Sequence, residues 1–204
     1  MGIAERRARE KDALRHKILE AAVELFLQNG FESVTMRGIA DRIEYSASTI
    51  YLYFKNKTEI VNAICVDTFE TLIERLEEID GRGLAPLDHF LAGIRCYVAF
   101  GMEHPYQYQL VFGGSAPATC SDLEESNLLG MQALEHLGRG IARCQAAGLF
   151  RPGEPFTDAV AVWGQLHGLT SILINDHGKY KMPWPSQETL IDCSVDLIVR
   201  GLRA

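Results

Sequence analysis

The sequence predicts an all-α protein. Three observations carry that expectation: apolar residues recur at intervals of three and four along most of the chain, Ser, Thr, Asn or Pro opens most of these runs, and no stretch alternates apolar with polar residues over a strand's length. About nine helices are expected.

From Asp12, the residues Leu14, Ile18, Ala21, Ala22, Leu25 and Phe26 form one apolar face opposite Lys17, Glu20, Glu24 and Gln28, and Asn29-Gly30 ends the run. Thr35 can cap a short helix whose inner face is Met36, Ile39, Ala40 and Ile43. Glu44 to Ser46 then breaks the spacing as a turn, and Ser46 caps a second short helix from Ala47 to about Phe54. Asn56, with Glu59 as its reciprocal partner, opens a long helix that ends near Gly81. Pro86 stands at the favoured first position of the next, which runs to about Glu103. Pro105 opens the short segment YQYQLVF, closed by Gly113-Gly114. Ser121 with Glu124 caps a helix reaching Gly148, Thr157 caps a strongly apolar one reaching Asp176, and Ser186 opens the last, which includes Leu190, Ile191, Val195, Leu197, Ile198 and Leu202.

At 204 residues, with 47% apolar and 23% charged side chains, the chain has the composition of a globular protein that buries a substantial core. Its apolar runs, such as Ile191 to Leu202, are interrupted by charges, so no membrane span is expected. The N-terminus MGIAERRAREKDALRHK lacks the apolar centre of a secretory signal, and a cytoplasmic location follows as the expectation. Five widely spaced cysteines without a Cys-x-x-Cys pair argue against a disulfide framework or a zinc site, and no cofactor or metal is expected. Net charge is −7, which alone disfavours a nucleic-acid partner. However, residues 1–60 hold ten Lys and Arg against nine Asp and Glu, whereas the remainder holds ten against eighteen. The acid excess therefore lies wholly outside the N-terminal part, where Arg6, Arg7, Arg9 and Lys11 cluster.

A long helix, a short capped helix, a tight turn and a hydroxyl-rich short helix have the order of a helix-turn-helix, whose last element enters the major groove. Ile50 and Phe54 lie four apart and face the core, which leaves Ala47, Ser48, Tyr51 and part of Thr49 outward. Small groups and hydroxyls there suit approach to bases and phosphates, and a tyrosine adds a methyl contact and a phosphate hydrogen bond.

Thr35-x-Arg37-x-Ile39-Ala40, followed by Ser46-x-x-Thr49-Ile50-Tyr51-x-Tyr53-Phe54-x-x-Lys57, resembles the DNA-binding domain of the TetR family of transcriptional regulators, and the likeness covers roughly residues 12–72. The resemblance implies that Thr35 and Arg37 contact the DNA backbone, that Ser46, Ala47, Ser48, Thr49 and Tyr51 meet the groove, and that Tyr53 and Lys57 contact phosphates. Simpler roles stay open: capping for Thr35 and Ser46, core packing for Tyr51 and Tyr53, solvated charge for Arg37 and Lys57. Two positions depart from the family pattern, Glu44 where Gly is usual and Tyr45 where a small aliphatic is usual. A left-handed Glu44 costs on the order of 1 kcal/mol.

Beyond residue 72 the chain carries no catalytic signature. Trp163-x-x-x-His167-Gly168, with His104-Pro105-Tyr106 and Leu110-Val111-Phe112, resembles a Trp-His-Gly (WHG) subclass of TetR-type C-terminal domains. Residues 73–204 would then form an effector-binding and dimerisation domain. Tyr97, Phe100, Met102, Tyr106, Tyr108, Trp163 and His167 are the candidates for lining its ligand site, and His167 is equally readable as a packing residue. The implied partners are a pseudo-palindromic double-stranded operator, a small-molecule effector and a second copy of the chain joined through the last two helices. The implied function is that of a repressor rather than an enzyme. An α-helical bundle enzyme or ligand carrier is the rival, weakened by the scatter of the six histidines and by the absence of a repeated Glu-x-x-His pair.

Overall fold

The structure is a computed structural model and describes residues 2–113, 124–175 and 183–203. Nine helices occur among them: α1 (Ile3–Asn29), α2 (Met36–Arg42), α3 (Ala47–Tyr51), α4 (Lys57–Asp80), α5 (Pro86–Glu103), α6 (Pro105–Phe112), α7 (Glu124–Ala146), α8 (Pro155–Asn175) and α9 (Gln187–Leu202). The described residues contain no strand, only an isolated bridge between Phe150 and Arg203. None of these helices is long and apolar enough to cross a membrane. Ser121, half of the expected α7 cap, and Gly114, Cys120, Asp176 and His177 lie outside the described residues.

The chain divides into two compact units, Met1–Thr68 with Tyr106–Ser126, and Phe69–Pro105 with Asn127–Ala204, so the boundary falls within α4. In the first, the predicted stripe of α1 is buried at Ile18, Ala22 and Phe26 and meets Ile39 and Ala40 of α2, Ile50 of α3, and Ile60 and Ile64 of α4. Leu110 of α6, fully buried, completes this core. Gly30 ends α1 with φ 77°, a conformation that side-chain-bearing residues rarely adopt. Arg15 forks onto both oxygens of Asp67, at 2.8 and 3.1 Å, and pins α1 along α4. At the start of α4 Asn56 caps as expected, accepting from the Glu59 N–H, but the Glu59 carboxylate reaches back one residue further than a capping box does and accepts from the Lys55 N–H.

In the second unit, α5 packs on α8 and α9 around Phe90, Ile94, Val98, Val162, Leu166, Val195 and Ile198, all buried. A polar knot joins α4, α5 and α7. The Asp80 carboxylate accepts from Nε2 of His89 at 2.5 Å and of His136 at 2.7 Å, with Arg143 at 3.4 Å, and the two imidazoles are stacked 5.9 Å apart. Burial works against the Asp80 charge, yet the hydrogen bond from His89 and the field of the histidines hold its pKa below the ordinary carboxylate value. Burial likewise disfavours an imidazolium at His136 and lowers its pKa, against the pull of Asp80.

Two helix starts differ from the sequence expectation. α1 begins at Ile3 instead of Asp12, because Arg6, Glu10 and their neighbours form a helix without any apolar stripe, aided by an Arg6–Glu10 pair at 3.3 Å. Thr157 does not cap α8. Pro155 occupies the first turn and has no N–H, so the free donors are those of Phe156 and Thr157, and the Glu154 carboxylate accepts from both.

Candidate nucleic-acid interface

The helix-turn-helix is built from α2, a four-residue turn and α3 in the first unit. Thr35 accepts a hydrogen bond from the Gly38 N–H at 3.0 Å, and a Cβ at Gly38 would stand 3.3 Å from that hydroxyl oxygen, so a glycine keeps the cap uncrowded. α2 then ends in a Schellman motif: the Tyr45 N–H donates to the Ala40 carbonyl at 3.0 Å, and the Glu44 N–H to that of Asp41 at 3.3 Å. Such a motif needs a left-handed residue at its centre, and Glu44 adopts φ 62°. It is the only non-glycine residue with positive φ among the described residues.

α3 is shorter than expected, ending at Tyr51, and Leu52 and Tyr53 form the turn after it. Ile50 is fully buried and Phe54 nearly so, which anchors the helix as their spacing predicted. The hydroxyls form one cluster. Ser46 Oγ accepts from the Thr49 N–H at 3.2 Å and lies 2.7 Å from Ser48 Oγ and 2.8 Å from Thr49 Oγ1.

The expected contact residues are distributed as follows. Thr35, Arg37, Ser46, Ser48 and Tyr51 are exposed, while Ala47, Thr49 and Tyr53 are half-buried. Arg37 is 84% exposed and its nearest carboxylate, Asp41, is 3.9 Å away. Lys57 is turned inward: its ammonium donates to the carbonyls of Phe31 at 2.7 Å and Glu32 at 3.3 Å and sits 4.5 Å from the Phe31 ring centroid. Sequence reasoning missed Leu52, which is 81% exposed, and Tyr45, which is 42% exposed. The signal for Leu52 was available, since two residues after Ile50 a helical side chain points away from the core stripe.

The expected effector residues fall in both units. Tyr97, Phe100, Met102, Trp163 and His167 belong to the second and Tyr106 and Tyr108 to the first. In the second unit the indole N–H of Trp163 donates to the Tyr97 hydroxyl at 3.1 Å, and His167 stacks on the indole at 5.6 Å. Phe100 is buried beneath Arg75 and His104, and Met102 is half-buried. In the first, Tyr108 is buried against Phe112 and Tyr106 is exposed.

Residues 18–64 match the family model of bacterial regulatory proteins of the tetR family, and residues 90–197, over half of the chain, match that of the tetracyclin repressor-like C-terminal domain. A fatty acid metabolism regulator protein of Bacillus subtilis is 39% identical over 62 residues, which are 30% of this chain and 32% of that one. The transcriptional repressor KstR2 of Mycolicibacterium smegmatis is 26% identical over 141 residues, 68% of each chain. The chain thus spans about a third of the first relative's length and about two thirds of the second's. The crystal structure of AibR in complex with isovaleryl coenzyme A and operator DNA superposes with a TM-score of 0.70 at 19% identity, over 90% of this chain and 96% of that one, which shows a shared fold. With a capped helix-turn-helix at one end and a matching helical domain across most of the rest, the chain belongs to the TetR family of bacterial regulatory proteins.

Proposed function

We propose that this protein is a DNA-binding transcriptional regulator, specifically a repressor that a small-molecule effector releases from a pseudo-palindromic operator, and that it is not an enzyme. The observation that carries the reading is the α2–turn–α3 unit: its inner face is locked into the core at Ile39 and Ile50, while Arg37, Ser48 and Tyr51 stand exposed on a family-matched domain. In this reading residues 12–72 are the DNA-binding domain and residues 73–204 the effector-binding and dimerisation domain.

Dimerisation through α8 and α9 is supported by what they leave uncovered. Phe156, Val160, Gly164, Gly168 and Ile172, four apart along α8, are all exposed, as are Leu197 and Gly201 on α9. Apart from the adjoining residues and backbone of the helix itself, no described atom lies within 4 Å of where a Cβ would stand at Gly164, Gly168 or Gly201, so a second pair of helices can approach closely. Effector contacts are proposed at Tyr97, Trp163 and His167, and the same residues with Gly168 support assignment to the WHG subclass. The AibR complex makes acyl-coenzyme A thioesters the first effectors to screen.

Selection of bound fragments from a random DNA pool tests the reading. One sequence is expected to be enriched, with affinity falling by about a thousandfold between roughly 50 and 200 mM salt. A pool that stays unenriched, with a Tyr51→Ala variant behaving as wild type, would sink it.

A further inference from the structure

We infer that the helix-turn-helix reads its operator chiefly through the C5-methyl groups of thymine, with Leu52 as a specificity-determining contact. The inference rests on the regulator reading above and deepens it. Its grounds are the chemistry that the interface turns outward. A base edge can be recognised by hydrogen bonds or by apolar contact, and in the major groove the apolar partner is the thymine methyl. Ser46 Oγ is engaged by the Thr49 N–H and by the hydroxyls of Ser48 and Thr49, so of the three hydroxyls it has the least left for a base edge, and none of them can make the bidentate contact that identifies a purine. Of the large apolar or aromatic side chains exposed in the first unit's helix-turn-helix, three cluster about α3: Tyr45 before it, Tyr51 at its end and Leu52 just after, 81% exposed and the most exposed of the large apolar residues described.

No contact with the protein's own core explains an exposed leucine here, since Ile50 and Phe54 already supply the anchors on the opposite side. Exposed cations that can seat the helix on phosphates lie on either side of α3 along the chain, Arg37 at 84% and Lys55 at 87% exposure. A duplex is thus the occupant that fits both the apolar centre and the basic flanks. The side chains placed to discriminate carry methyls and aromatic edges rather than amides or guanidinium forks, the groups that read adenine and guanine.

The test uses the full-length protein and the duplex enriched from the random pool. Each thymine is replaced in turn by deoxyuridine, which keeps the pairing and removes only the methyl. At one or more positions per half-site the wild type is expected to lose about fourfold in affinity per methyl, the order set by burial of one such group. The exposed site makes Leu52→Ala a folded variant, checked by an unchanged melting temperature, and this variant is expected to bind thymine and deoxyuridine duplexes equally at one of those positions. Uracil substitution without effect at every position would overturn the inference, as would a full uracil penalty retained at all of them by Leu52→Ala. Both results leave the regulator reading intact; a pool with no enriched duplex would overturn that reading and this inference together.

Discussion

Glu44 shows how one residue records a local conflict. The Schellman turn asks for a left-handed residue, and a side chain with a Cβ pays about 1 kcal/mol to comply. Replacing Glu44 by Val, whose branched Cβ fits that conformation worse, is expected to lower unfolding stability by about 1–2 kcal/mol in urea titrations. Gly at the same position relieves the strain but loosens the unfolded chain, so its effect stays within about 0.5 kcal/mol. Lys57 makes a second residue-scale point. Its ammonium is held by two carbonyls and by the Phe31 ring, so Lys57→Ala is expected to lower stability by roughly 1–2 kcal/mol. A pure phosphate contact would instead weaken DNA binding with the melting curve unchanged.

Between elements, the tie of α4, α5 and α7 at Asp80 makes the second unit sensitive to acid. His136 has a lowered pKa in the fold because it is buried, so the unfolded chain takes up that proton at a higher pH than the folded one. Its contribution is therefore complete above the ordinary histidine value of about 6.5 and is lost as pH falls through the lower folded value. Asp80, also lowered, contributes above the ordinary carboxylate range and loses that contribution at still more acid pH. Urea midpoints should hold steady above about pH 7 and fall towards pH 5, with a shallower fall in His136→Phe. Asp80→Ala leaves two buried imidazole N–H groups without their acceptor and is expected to cost about 2–4 kcal/mol.

For the whole molecule, the exposed stripe of α8 and α9 bears on assembly. Leu197 is 60% exposed in the single chain, so an acidic residue there is harmless to the monomer but places like charges within a two-fold interface. Leu197→Glu is expected to sediment as a monomer, to melt near the wild-type temperature of the isolated chain, and to bind the enriched duplex at least about a hundredfold more weakly, since each copy then docks alone.

Helix positions were legible in the sequence wherever an apolar stripe or a local cap defines them. Thr35, Ser46, Asn56 and Ser186 all cap as their neighbours predicted, because a cap is decided within three residues of chain. The left-handed conformation of Glu44 was flagged only through its departure from the family pattern, and the structure decided it. The early start of α1 was not, because charged residues without a stripe carry no periodic signal. Tertiary structure alone decided matters that depend on distant partners: that Leu110 buries itself in the core of the first unit, that Lys57 turns to the carbonyls at Phe31 and Glu32, and that Asp80 gathers two histidines from other helices. Local spacing sets which face of a helix is apolar; which surface that face meets is fixed only when the whole chain packs.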